Sequence, residues 1–187
     1  MKHYFIVLAA VLLTAGTMAT AQNTTRNLKL NGVEMVETMS DDGMSMIQRP
    51  YRWFAGMAEA DVESVAVEMA QLEAYAAISR VIENIVMAKA ERGTVAVNGK
   101  VQKALKSYWE QMSMSIQKAC EPFGDAVSVY NPEEKMYQVT AKVGIRGDRY
   151  VKMLDGAKDA KPEGLNAEET KEFVEINDVI IDAAKGN

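Results

Sequence analysis

Residues 136–145 alternate more cleanly than any other part of the chain, and that alternation sets the terms for the fold. In an extended strand Tyr137, Val139, Ala141, Val143 and Ile145 face one way. Met136, Gln138, Thr140, Lys142 and Gly144 face the other. Such a pattern belongs to an antiparallel sheet with one buried face and one largely solvated face. A second strand, residues 126–130, precedes it, with Asn131-Pro132-Glu133-Glu134-Lys135 as the turn between them. A third is expected over residues 51–58, opened by Pro50 where a missing N–H is tolerated. Tyr51, Trp53, Ala55 and Met57 share one of its faces; Arg52, Phe54, Gly56 and Ala58 share the other. Gly56 marks a bulge or a close backbone approach.

The apolar face of such a sheet needs a cover, and two long helical patterns supply it. Over residues 61–91, Asp61 is the expected N-cap and Glu63 suits the positive end of the helix dipole. Val62, Val65, Met69, Leu72 and Ala76 step by three and four, and Ile78, Ile82 and Ile85 continue a drifting stripe. Ala66, Ala70, Ala74 and Ala77 form a small-residue face that permits close packing. Arg92-Gly93 is the expected stop. A second helix is expected over residues 100–120, capped by Asn98 or Gly99, with Val101, Leu105, Tyr108, Met112, Ile116 and Ala119 on one face. Pro122 ends it. Asp148 is expected to cap a short helix with Tyr150, Val151 and Leu154, and residues 155–164 read as a charged linker. Asn166 with Glu169 forms an Asn-type capping box for a last helix whose apolar face is Phe173, Ile176 and Ile180. The expected fold is α+β: long helices on one face of a small, mainly antiparallel sheet.

Residues 1–21 read as a secretory signal peptide. Lys2 and His3 start it, residues 5–13 are apolar, and Ala19-Thr20-Ala21 before Gln22 is an A-x-A cleavage signature. Residues 22–49 read as a partly ordered N-terminal extension, and residues 50–187 as a single α+β domain. The expected location is periplasmic or secreted. The single histidine, His3, leaves with the leader, which removes Ser-His-Asp chemistry and His-ligated metal sites from the mature chain. The single cysteine, Cys120, cannot form an intramolecular disulfide. The net charge is −5 with signs interspersed, and loss of Lys2 makes the mature chain one unit more acidic. That balance gives no footprint for nucleic acid. No segment after the leader is long and apolar enough to span a membrane.

The run Trp53-Phe54-Ala55-Gly56-Met57-Ala58, the alanine-rich helix that follows, and Tyr137-Gln138-Val139-Thr140-Ala141-Lys142-Val143 together resemble the LPP-twenty lipoprotein family. The N-terminal domain of the flagellar assembly protein T is similar. The resemblance covers residues 50–154. It implies an α+β sandwich in the cell envelope without known enzymatic activity. The chain departs from the family at Gln22, where a lipoprotein carries cysteine. A lipid anchor is therefore not expected.

No residue set points to catalysis, and no cofactor is expected. Met44-Ser45-Met46 and Met112-Ser113-Met114 are soft-ligand motifs suited to Cu(I), with Met35 and Met39 near the first. The competing reading, preferred from sequence, is methionine as core filler. Asp41-Asp42, Glu133-Glu134 and Glu168-Glu169 lack EF-hand spacing and read as solvated surface. Cys120 reads as a buried small hydrophobe. Trp53, Trp109 and Tyr130 are candidate ligand or partner contacts, against a core or core-edge role; Trp109 falls just off its helical stripe, so partial exposure is expected. The expected function is a non-catalytic envelope or periplasmic protein acting by binding or assembly, with an envelope protein or a second copy as partner. The alternative is a periplasmic small-ligand or Met-based Cu(I)-binding protein.

Overall fold

The computed structural model describes residues 30–91 and 98–186. The leader, its cleavage site and the Arg92-Gly93 stop lie outside the described residues. The described chain forms β1 (Asn31–Met39), β2 (Met46–Ala60), α1 (Glu63–Glu91), α2 (Gly99–Ala119), β3 (Glu121–Pro122), β4 (Val127–Asn131), β5 (Met136–Arg146), α3 (Gly147–Gly156), a 3₁₀ turn (Ala157–Asp159) and α4 (Ala167–Gly186). The five strands make one antiparallel sheet in the order β1-β2-β5, with β3 and β4 both paired to the far edge of β5. The fold is α+β, with the helices gathered over one sheet face.

Register explains which face is covered. Arg52 opposes Ile145, Phe54 opposes Val143, Gly56 opposes Ala141 and Ala58 opposes Val139. Directly opposed residues share a face, so the apolar row of β5 and the Phe54 row of β2 form one surface. Helix α1 lies on it through Ala66, Ala70, Ala74 and Ala77, all fully buried. Gly56 permits that approach: a Cβ placed there would sit 2.5 Å from the Glu73 carbonyl carbon and closer still to Ala74 N and Ala70 O. The core continues through Ile78 and Ile82 of α1, Leu105 and Ile116 of α2, and Tyr150 and Leu154 of α3. Phe173 and Ile180 of α4 complete it.

Several expectations are corrected. Strand β2 starts at Met46, and β1 pairs with it, so residues 31–39 and 46–49 of the expected extension belong to the sheet. Pro50 lies inside β2. Ala55 N–H donates to Leu30 O, so even-numbered positions of β2 point the other way, toward β5. Pro50 therefore faces past Arg146, the last residue of β5 in the ladder, where no bond is lost. Val62, Val65, Met69 and Leu72 are exposed, and Ala76 with them; the narrower alanine face is what packs. The Val62 carbonyl takes the first helical bond of α1, from Ala66, so Asp61 does not cap it. Helix α3 runs to Gly156 and the 3₁₀ turn replaces the first part of the expected linker. Arg146 rather than Asp148 is its N-cap, and Val151 is exposed. The Asn166–Glu169 box forms as expected, each backbone N–H donating to the other's side chain at 2.9 Å. Asn98 caps α2, its Oδ1 accepting from Lys100 N–H at 2.9 Å.

Candidate functional site

Helices α1 and α2 meet at two hydroxyls, Ser79 and Ser113, 3.1 Å apart. Gln117 Nε2 donates to Ser79 Oγ at 2.8 Å, and Ser113 Oγ–H donates to the Glu110 carbonyl at 2.8 Å. Small polar side chains here let the two helices approach. Beyond this contact a groove of about 570 Å³ opens between them. Its floor is Ile82, Val86, Leu105 and Trp109. Met87 and Met114 form exposed lips, and Glu83, Gln102, Lys106 and Glu110 sit on the rim. The volume falls within the ~300–1,000 Å³ of small-molecule sites, and an apolar lining with few polar groups is their usual chemistry.

Trp109 gives the groove a rigid wall. It is 1% exposed, which corrects the expectation of partial exposure. Its Nε1–H donates to Asn177 Oδ1 at 3.0 Å, and Asn177 Nδ2 donates to the Ala157 carbonyl at 2.8 Å. Tyr108 meets both Trp109 and Phe173 edge to face, each at 6.1 Å between ring centroids. A buried indole N–H requires a partner, and Asn177 supplies it from α4. Sequence reasoning missed Asn177, although a lone Asn four residues after Phe173 on an apolar helix face is a detectable signal.

The other two aromatic candidates lie elsewhere, so the three do not converge on one pocket. Trp53 stands on the uncovered sheet face, packed over Gly32, with Lys142 Nζ 4.7 Å from its ring centroid. Nearby Tyr51 stacks on Phe123 at 5.5 Å, and Phe123 covers Gly144. A smaller cavity of about 340 Å³ adjoins them, bordered by Arg146 and Arg149. Arg146 is already engaged there by Asp41 and Asp148. Those partners hold its pKa above the ordinary guanidinium value, and Arg146 holds the Asp148 carboxyl down at about 2. Tyr130 is exposed on β4 and contacts Tyr137, 4.9 Å between centroids.

Two more buried polar side chains, both charged, were not expected. Arg52 is 3% exposed, its guanidinium lying over Phe54 and Tyr150 at 5.8 and 5.6 Å, with Nη2 donating to Asn31 Oδ1 at 3.1 Å. Burial lowers its pKa. Glu169, read as surface, is buried and accepts from Asn98 Nδ2 at 3.2 Å, which ties the start of α4 to the start of α2. Asp41, by contrast, is exposed and pairs with Arg49 at 2.9 Å.

The methionines divide. Met112 packs partly buried against the core, as the filler reading expects. Met44, Met46 and Met114 do not: they are 86%, 54% and 50% exposed. The two Met-Ser-Met motifs are on different elements, one at the β1–β2 hairpin and one on α2. Among the described residues, no group of three or more His, Cys, Asp or Glu is placed to hold a metal. Also among them, no helix is long and apolar enough to cross a membrane.

Cys120 is buried at the end of α2, and that burial pushes its thiol up to about 12. A thiolate is the reactive form. Native protein at pH 8 should therefore resist iodoacetamide, while unfolded protein reacts at one site by intact mass. Below the ordinary thiol pKa both the folded and the unfolded chain are protonated at Cys120, and stability does not change with pH on its account. Above it only the unfolded chain ionises, so stability falls as pH rises toward 12.

Compared with known proteins, the chain finds no matching family model and no matching curated relative.

Proposed function

We propose that the protein is a non-catalytic binding protein of the cell envelope, and that the groove between α1 and α2 is its binding site. The groove itself carries this reading: an apolar floor held rigid by the Trp109–Asn177 bond, lined at one end by Ser79 and Ser113. Its chemistry suits an apolar chain or ring ending in a small polar group. The envelope setting rests on the leader pattern of residues 1–22 and on the resemblance of residues 50–154 to the LPP-twenty family. The non-catalytic reading is supported by the protonated, buried thiol of Cys120 and by arginines and carboxylates committed to one another.

Anilinonaphthalene sulfonate tests the groove, with dodecanoate as competitor. The dye should bind with a rise in fluorescence, and dodecanoate should displace it. Met87→Glu with Met114→Glu, both at exposed lips, should remove binding and leave the circular dichroism unchanged. Dye binding that survives this pair would overturn the assignment. The exposed stripe Val62, Val65, Met69 and Leu72 favours a second reading, assembly through α1. Leu72→Glu with Met69→Glu separates the two, because it should leave dye binding intact and alter only sedimentation.

A further inference from the structure

We propose that the tip of the β1–β2 hairpin is a soft-metal site in which the thioethers of Met39, Met44 and Met46 hold one Cu(I) or Ag(I) ion. The site is independent of the groove. Met39 opposes Met46 as the last pair of the β1–β2 ladder. Directly opposed residues project to the same face with Cβ atoms about 4.5–5.5 Å apart, within reach of two unbranched side chains closing on one ion. The ladder is then extended by Ser40 N–H donating to Ser45 O at 2.8 Å. Met44 lies in the loop joining the two strands, two residues before Met46, so its Cα is no more than about 7 Å from that of Met46.

The loop that presents Met44 is held by its own polar groups. Asp42 Oδ1 accepts from Met44 N–H at 3.0 Å and from Ser40 Oγ–H at 2.5 Å, and Ser45 N–H donates to Ser40 Oγ at 3.0 Å. Asp41 anchors it to the sheet through Arg49 and Arg146. The loop backbone that carries Met44 is thus held in place. The three side chains also have little packing role: Met39, Met44 and Met46 are 57%, 86% and 54% exposed. Three thioethers with no nitrogen or thiolate donor select monovalent soft cations over Zn²⁺ or Ca²⁺. Binding forms metal–sulfur bonds only, with no proton released and no electron moved.

The test uses the full chain with methyl-¹³C methionine, titrated with silver nitrate, which needs no reductant. One equivalent should move the methyl resonances of Met39, Met44 and Met46 together and leave Met112 and Met114 in place. Each single Met→Leu change at the three positions should weaken binding roughly tenfold or more, because a tethered donor acts at high effective concentration. The triple change should abolish the shifts. Leucine at these exposed positions should leave the circular dichroism unchanged, which separates ligand loss from unfolding. Shifts spread over exposed methionines such as Met35, Met69 and Met114, shifts that persist in the triple variant, or no shift at all would overturn the proposal. In a separate anaerobic titration of metal-free protein, Cu(I) supplied as its acetonitrile complex should move the same three methyls; failure to do so would overturn the Cu(I) half.

Discussion

Gly56→Val should yield no folded protein, and Gly56→Ala should cost about 3 kcal/mol or more, the upper end of overpacking penalties. The position is unusual because what a side chain would meet is backbone: Ala74 N, Ala70 O and the Glu73 carbonyl carbon of α1. A flexible side chain could rotate aside; a helix backbone cannot. Relief requires lifting α1 off the sheet, which opens the seam where Ala66, Ala70, Ala74 and Ala77 are buried. The sign is diagnostic. Glycine inside a strand is normally worse than alanine by roughly 0.5–1 kcal/mol, so alanine would stabilise an unobstructed position. Gly156→Ala is the control. It sits in a helix with nothing within 4 Å of the added Cβ, and it should be neutral or slightly stabilising. Urea titration of both variants checks this. A Gly56→Ala protein as stable as its parent would mean that α1 is not seated as described.

The same seam shows why part of the fold was legible in sequence and part was not. Strict period-two alternation identified the buried row of β5, because burial there depends on strand geometry alone: Val139, Ala141, Val143 and Ile145 are all buried. The helices were located by caps and breakers such as Asn98, Pro122 and the Asn166–Glu169 box, which act locally. The packed face of α1 was harder to choose. Val62, Val65, Met69 and Leu72 are more hydrophobic than four alanines, so hydropathy favours the stripe that stays exposed. Close approach to Gly56 decides otherwise, and that is a property of two elements together. Strand β1 was missed because its residues are exposed or half-buried, with no apolar face to mark it.

The candidate site was less legible still. The groove exists because Ser79 and Ser113, 34 residues apart, meet between helices. Neither serine carries a sequence signal. Trp109 was singled out, but its role depends on Asn177 reaching it from another helix. Methionine was the reverse case. The motif was visible, yet only the Met39–Met46 register and the exposure of the side chains separate hairpin methionines from the core-packed Met112.

Val139→Asp should unfold the domain, whereas the adjacent Thr140→Asp should be tolerated. The two positions lie on opposite faces of β5. Val139 is fully buried in a small cluster with Ala60, Ala66, Ala70 and Ala141, beneath the first half of α1. Among the described residues the one buried cation is Arg52, opposite Ile145 and six residues along β5 from Val139, so a carboxylate at Val139 must either stay ionised at a cost of several kcal/mol or take up a proton. That is a large share of a typical total stability of roughly 5–15 kcal/mol, and the aspartate also leaves the space that the valine methyls filled. Thr140 opposes Met57 and Val127 on the face that no helix covers, and it is only half-buried. Aspartate there should cost about 1 kcal/mol through its poor strand propensity. Below the carboxyl pKa the contrast should narrow, since the buried aspartic acid is then neutral in both states and only its desolvated hydroxyl and the lost packing remain. Thermal melts at pH 7 and pH 3.5, each referenced to the parent at the same pH, read both parts. Equal losses for the two variants at pH 7 would mean that the uncovered face is in fact packed, and the one-sided sheet that places the groove helices would have to be redrawn.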